Sequence, residues 1–366
     1  MSIADRAPAH IRAISPYQPG RPIEEVAREQ GLSADTIIKL ASNENPLGMS
    51  EAAREAIFRT VTDSARYPDG NGFALKSALC RRYGVQMENL ILGNGSNDLL
   101  EIAADAFLTP GTATVYSQYS FAVYALATQA AGATGIVVPA QDYGHDLDAM
   151  LAAINADTRI VFLANPNNPT GTFLPGAALE QFIERVPRDV LVILDEAYTE
   201  YLADEQRYDS IGWLSRFPHL LVLRTFSKAY GLAGLRVGYG IGAPEVIDLM
   251  NRVRQPFNVS TLALAAAEAA LGDTAFLRAS AELNRHGMAQ YTQAFARLGL
   301  RWMPSCGNFL TVEVGDAAAV NAALLRQGVI VRPIANYGLP EWLRISIGTE
   351  AENAACIAAL ERALHR

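Results

Sequence analysis

Lysine is nearly missing from this 366-residue chain: the 30 basic residues include only Lys39, Lys76 and Lys228. Chemistry that needs a side-chain amine therefore has three possible seats. Cysteine is as rare. Cys80, Cys306 and Cys356 lie far apart with no Cys-x-x-Cys, which leaves neither a disulfide framework nor a zinc ribbon and fits a reducing cytoplasm. The five histidines show no ligand spacing, so no metal is expected. No apolar run approaches the ~18 residues of a membrane span, and the first residues carry no apolar stretch of signal-peptide type. Bases are outnumbered by 38 acids, for a net charge of −8, which argues against nucleic acid as a partner.

What is present is apolar and periodic. Half of the residues are hydrophobic and 19% are charged, enough for a large core and too little charge for a disordered chain. Length suggests about two domains at ~150 residues each. Helical patterns over 51–64, 72–83, 97–107, 121–131, 147–154 and 176–186 alternate with strand-length runs at 89–92, 113–116, 135–139, 159–164, 190–194, 220–225 and 236–241. Runs such as Val190-Leu191-Val192-Ile193-Leu194 are apolar on both faces, as in a parallel sheet covered by helices. This predicts an α/β fold with a seven-stranded, mostly parallel sheet in a large domain over 45–260. One long helical region over 262–298, strands at 309–314 and 342–347 and helices over 317–327 and 351–364 predict a smaller α+β domain over 261–366. The Pro-rich arm over 1–44 is expected to join it.

In open α/β sheets, ligands sit beyond the carboxyl ends of the strands. Lys228 follows the 220–225 run and there could form a Schiff base with a carbonyl cofactor; a solvated surface lysine is the plainer alternative. Asp195 ends the 190–194 run and could pair with a protonated pyridine nitrogen, or cap a helix. Tyr198 could donate its phenol to a ring oxygen, or pack on the sheet. Asn168 lies in the rigid turn Asn167-Asn168-Pro169-Thr170-Gly171, which aims its side chain inward or is only turn chemistry. Gly93-Asn94-Gly95-Ser96-Asn97, between strand and helix, could cradle a phosphate with Ser227 and Arg236. It is otherwise a helix start. The competing pattern Gly238-Tyr239-Gly240-Ile241-Gly242-Ala243 lies within a strand, with no acid ~20 residues on, and is a poor dinucleotide fingerprint.

Asn168, Asp195, Tyr198, Lys228 and Arg236, in that order and spacing, resemble the fold-type I pyridoxal-phosphate aminotransferases. Pro16-Tyr17-Gln18-Pro19-Gly20, the stretch from Leu40 to Gly48, Arg66-Tyr67-Pro68-Asp69-Gly70 and Leu343-Arg344-Ile345-Ser346-Ile347-Gly348 are similar to the histidinol-phosphate branch of that family. The resemblance implies a pyridoxal 5'-phosphate cofactor carried on Lys228, its ring nitrogen paired with Asp195 and its ring hydroxyl facing Asn168 and Tyr198. It implies that Gly95, Ser96, Asn97, Ser227 and Arg236 hold the phosphate. Tyr119 would stack on the ring, with Tyr116 the alternative in the shifted register. Tyr67 would reach the cofactor phosphate of a neighbouring subunit, making the protein a homodimer. Tyr17, Asn43, Arg332 and Arg344 would line the substrate pocket.

The implied reaction is amino transfer between L-histidinol phosphate and 2-oxoglutarate, in which the freed Lys228 amine acts as general base. An aromatic amino-acid aminotransferase is the nearest rival, because Tyr17, Tyr119 and Tyr337 could cradle a phenyl ring. A decarboxylase of a phosphorylated amino acid and a non-catalytic cofactor-binding module are more distant ones.

Overall fold

The computed structural model describes residues 2–364. Its strands, in chain order, are β1 (Ile38–Lys39), β2 (Leu90–Gly93), β3 (Ala113–Ser117), β4 (Thr134–Val138), β5 (Thr158–Ala164), β6 (Leu191–Asp195), β7 (Leu220–Thr225), β8 (Gly238–Gly242), β9 (Trp302–Met303), β10 (Phe309–Glu313), β11 (Val329–Ile330), β12 (Arg332–Ile334) and β13 (Leu339–Ser346). β2 to β8 form one sheet in the order β2-β8-β7-β6-β5-β3-β4. Only β8 runs against its neighbours; β7, β6, β5, β3 and β4 pair in parallel.

The two-faced apolar runs explain this sheet. In β6, Leu191 and Ile193 join Ile160, Phe162, Leu221 and Leu223 under the helices Ser96–Phe107, Ala122–Ala130 and Pro244–Val253. Val192 and Leu194 turn the other way, with Val161, Leu163 and Val222, onto the helices Leu147–Ala152 and Gly176–Arg185. Successive residues of a strand point to opposite faces. Each fully buried Val, Leu, Ile or Phe contributes about 1.5–3 kcal/mol, so a sheet with helices on both faces uses a run like this fully.

The remaining strands build a second layer. β12, β13, β10 and β9 form an antiparallel sheet, and β1 pairs in parallel with β11, Ile38 opposite Val329. Leu40, β10, β13 and the helices Thr274–Arg297, Ala317–Arg326 and Glu350–Leu364 share one core. No helix among the described residues is long and apolar enough to cross a membrane.

Four local expectations change. The single helical region over 262–298 is two helices, Thr261–Gly272 and Thr274–Arg297, because the Asp273 side chain accepts from Phe276 N (3.0 Å) and starts a new one. Pro244–Val253 is a helix that the periodicity did not suggest, with proline at its first position. The N-terminal segment is more than an arm, since it holds the helix Ile23–Gln30 and β1. The strand expected from residue 236 begins only at Gly238, because Arg236 is left-handed (φ 55°).

Candidate active site

β2, β3, β5, β6 and β7 all end at one edge of the large sheet, and antiparallel β8 starts there, so residues 93–97, 164–168, 195–198, 225–228 and Arg236 converge. They face a cavity of about 200 Å³. Arm residues Tyr17 and Ala41 to Asn43, together with Arg332 and Arg344 of β12 and β13, close its other side.

One end of the cavity is built for an anion. The helix Ser96–Phe107 opens on Gly95 without a side-chain cap, so the backbone N–H groups of its first turn and the positive end of its dipole stay available. Arg236 stands beside it, Nη1 donating to Ser227 Oγ (3.3 Å) and Ala233 O (3.1 Å). A Cβ on Gly95, whose φ is +84°, would overlap the Arg236 guanidinium. A Cβ on Gly238 would come within 2.5 Å of Ser96 N. Glycine at both positions brings guanidinium and helix terminus together.

At the opposite wall Asp195 is 6% exposed. Tyr124, itself fully buried, donates its hydroxyl to Asp195 Oδ2 (2.9 Å), and Oδ1 has no partner. Burial pushes the carboxyl up to about 6 against the donation from Tyr124. The next residue, Glu196, points to the other face and pairs there with Arg224 (2.9 Å). Its charge is thereby compensated away from the cavity.

Lys228 Nζ donates to Ser42 O (3.1 Å) and lies 5.9 Å from the Tyr198 ring centre. Burial first, and then the Arg344 charge, pull its amine down to about 8. Tyr198, pushed up to about 12 by burial, accepts from Asn43 Nδ2 (3.0 Å). Asn43 has left-handed backbone (φ 54°) and is held by Ser346, whose Oγ accepts from Asn43 N (2.8 Å) and donates to Asn43 Oδ1 (2.9 Å). Arg344 donates to Asn168 Oδ1 and Ala41 O, both at 2.7 Å, and its Nε is buried without a partner. Arg332 donates to Gln18 O (2.6 Å) and lies 5.7 Å from the Tyr17 ring centre. Among the described residues none of Lys228, Arg236, Arg332 and Arg344 forms an ion pair.

Of the residues singled out from sequence, Tyr17, Asn43, Ser96, Asn97, Asn168, Asp195, Tyr198, Ser227, Lys228, Arg236, Arg332 and Arg344 line this cavity, with Gly95 directly behind Arg236. Tyr119 does not. Ser120 Oγ turns back onto Ser117 O (2.6 Å) and Phe121 caps the next helix, which starts at Ala122, so Phe121 takes the wall. The Tyr119 ring packs on Tyr143 (5.8 Å) beside Trp342 and Tyr337. Tyr116, the other register, is buried in the core of the large sheet. Tyr67 is 83% exposed and stacks on Phe257 (4.8 Å) at the outer surface. Lys39 pairs with Glu44 (3.4 Å), and neither it nor Lys76 lines the cavity. Sequence reasoning missed Phe121 and Tyr124. The only signal was their position at the start of the helix after β3, at the ligand edge.

The family described as "Aminotransferase class I and II" matches residues 35–360. The chain is 65% identical over 361 residues to histidinol-phosphate aminotransferase 1 of Cupriavidus pinatubonensis (98% of this chain, 96% of the relative) and 60% identical to histidinol-phosphate aminotransferase of Methylobacillus flagellatus (98% of each). Among solved structures it is similar to histidinol-phosphate aminotransferase from Sinorhizobium meliloti in complex with pyridoxal-5'-phosphate, with a TM-score of 0.90, 30% identity and 98% of each chain covered. A Thermus thermophilus aspartate aminotransferase single mutant matches at TM-score 0.83 and 25% identity, again over 98% of each.

Proposed function

Because the chain belongs to the class I and II aminotransferases, we propose that it is a pyridoxal-phosphate-dependent transaminase that moves an amino group between L-histidinol phosphate and 2-oxoglutarate. The observation that carries this reading is the imbalance of charge in the cavity. Four basic side chains face it without ion-pair partners, against the single carboxylate of Asp195. Uncompensated charge is costly where it is buried, as at Arg332 and Arg344, and with half-buried Lys228 and exposed Arg236 beside them the cavity suits ligands that are anionic at several points: a cofactor phosphate, a substrate phosphate and a dicarboxylate.

The residues fit pyridoxal phosphate. The unpartnered Asp195 Oδ1 suits a cationic ring nitrogen, and the glycine-framed notch between Arg236 and the helix start suits the phosphate. When bound, the group supplies an aldehyde for an amine and a protonated ring that withdraws electrons from the reacting carbon. Lys228 would hold it covalently, Asn168 and Tyr198 would face the ring hydroxyl, and Ser96, Asn97, Ser227 and Arg236 would hold the phosphate. Phe121, which lines the cavity where Tyr119 does not, would cover a ring face.

Lys228 is the base in this reading. At about 8, its amine is free often enough near neutrality to take the proton from the substrate's Cα and to deliver it to the carbon on the far side of the amino nitrogen. The Ser42 carbonyl keeps Nζ in place between these events. Arg332 and Arg344 bind the substrate's distant anion, whether phosphate or carboxylate, and so fix the Cα–H toward Lys228.

A homodimer is part of the proposal. Phe58, Tyr67, Phe73 and Phe257 are large apolar groups left exposed, and a second copy of the chain would cover them. Tyr67 would then complete the neighbouring cavity. A cytoplasmic setting agrees with three free thiols.

The direct test is turnover by the purified protein, with histidinol phosphate and phenylalanine as competing amino donors to 2-oxoglutarate. Faster reaction of histidinol phosphate is expected. Preference for phenylalanine overturns the substrate, and absence of any amino transfer overturns the reaction class.

A further inference from the structure

Resting on the cofactor reading above, we infer that Tyr124 is a positioning residue for Asp195, fixing which carboxylate oxygen meets the cofactor ring and keeping that carboxylate charged. Its hydroxyl lies 2.9 Å from Asp195 Oδ2. With Oδ2 engaged, Oδ1 is the oxygen left without a partner in a side chain that lines the cavity.

Tyr124 is well fixed for this task. Its ring stacks flat on Phe162 of β5 (4.8 Å, 4° between planes) and meets Phe121 edge-on (5.9 Å, 86°). Its carbonyl accepts from Thr128 Oγ1 (2.7 Å), and Thr128 Oγ1 is in turn within 2.8 Å of Thr114 Oγ1 on β3. The phenol thus has one direction to point, toward the end of β6. A donor to an ionised group favours the ionised form, and here it works against the burial that favours the neutral acid. The other titratable groups around Asp195 are Lys228, after β7, and Glu196 and Tyr198 beyond its own strand. Glu196 is neutralised by Arg224 on the far face. Lys228 is the position where the cofactor attaches, so in the loaded protein it is no longer a free ammonium near Asp195. Tyr124 is then the fixed side-chain donor that remains, beside the weaker Ala197 backbone N–H.

The test is a titration of apoprotein with pyridoxal phosphate across pH 5 to 9, read by tryptophan fluorescence and by cofactor absorbance. Tyr124→Phe removes only the hydroxyl. Hydrogen bonds to charged groups are strong enough that its loss should weaken binding about tenfold or more. It should also move the acid limb of the affinity profile to higher pH, because Asp195 then becomes neutral earlier. Phe162→Leu, which loosens the packing but keeps the bond, should lower thermal stability and leave that limb in place. Tyr124→His, which keeps a ring N–H donor, should lie nearer the wild type than Tyr124→Phe. Binding within twofold of wild type and an unmoved acid limb in Tyr124→Phe overturn the inference alone. A wild-type protein that takes up no pyridoxal phosphate overturns the functional reading and this inference with it.

Discussion

Lys228 Nζ and the Ser42 carbonyl oxygen lie 3.1 Å apart, which ties the proposed base of the large sheet to a segment whose neighbours are anchored on β13. Ser346 N donates to Leu40 O (2.9 Å), and Arg344 grips Ala41 O. The amine is therefore held by a backbone group whose position depends on the second sheet. A backbone acceptor stabilises the amine without neutralising it, so burial and the nearby Arg344 charge still hold the group down near 8.

The first prediction concerns that value. Lys228 reacts as the free amine, so apoprotein should take up pyridoxal phosphate faster as pH rises and level off above about 8. Stopped-flow absorbance from pH 6 to 10 checks this. A rate still climbing steeply at pH 10 would mean an ordinary, unshifted lysine. Lys228→Ala should bind the cofactor without covalent capture and lose activity by about two orders of magnitude or more.

Asp195 should cost the empty protein stability. Its carboxyl is raised from 3.8 to about 6 by burial, so the folded state holds more protons than the unfolded one between those values. Stability from this group falls as pH rises through that window, and the full cost is present above it. Asp195→Asn, which can still accept from Tyr124, should make the apoprotein more stable at pH 8 by roughly 1–3 kcal/mol while weakening cofactor binding. Denaturant melts at pH 8 and pH 4 should show the gain shrinking at the lower pH.

Gly95→Ala tests the anion end. The methyl would overlap the Arg236 guanidinium at a backbone angle (φ +84°) that alanine rarely adopts. A loss of about 1–3 kcal/mol in stability is expected from the backbone conformation alone (φ 84°, ψ 166°). Cofactor affinity should fall at least tenfold through the displaced arginine. Unchanged affinity would remove Gly95 and Arg236 from the phosphate site.

Arg344→Lys should separate substrate binding from cofactor binding. One ammonium cannot reproduce the fork to Asn168 Oδ1 and Ala41 O and still present a donor to the cavity. KM for both substrates should rise about ten- to a hundredfold, with cofactor absorbance little changed.

The dimer can be read from complementation. If Tyr67 completes the neighbouring site, mixing inactive Lys228→Ala with a crippled Tyr67→Ala protein restores intact sites in the mixed dimers, roughly a quarter of all sites after random exchange. No recovery, in a mixture shown by mass spectrometry to contain mixed dimers, places Tyr67 outside the neighbour's site.

The large sheet was legible in sequence because its strands, the exposed edge strand β4 apart, are buried on both faces and so appear as largely apolar runs; all seven runs became strands. The two-residue strands β1, β9 and β11 were not legible, since a bridge that short is set by its tertiary partner and leaves no period. Lys228, Asp195 and Arg236 could be placed because strand ends in an α/β sheet predict a ligand edge. Tyr119 could not be placed correctly: one tight turn at Ser120 decides which aromatic faces inward, and that turn depends on a single side-chain hydrogen bond. Tyr124 escaped notice because its ring belongs to the core and only its hydroxyl belongs to the site.

The pairing of β1 with β11 sets an order of events on the ribosome. Every strand of the seven-stranded sheet has been synthesised once residue 242 is made, so Lys228, Asp195 and Arg236 can be in place early, given synthesis at about 5–20 residues per second. The backbone of residues 38–40 precedes that sheet in the chain, yet it pairs only with Gly328, Val329, Ile330 and Ser346, which follow it. A chain clipped before β11 would thus keep the residues proposed to hold the cofactor and lack Arg332 and Arg344, the arginines proposed to receive a substrate. Residues 329–346 thus add the proposed substrate wall to a ligand edge that the large sheet already carries.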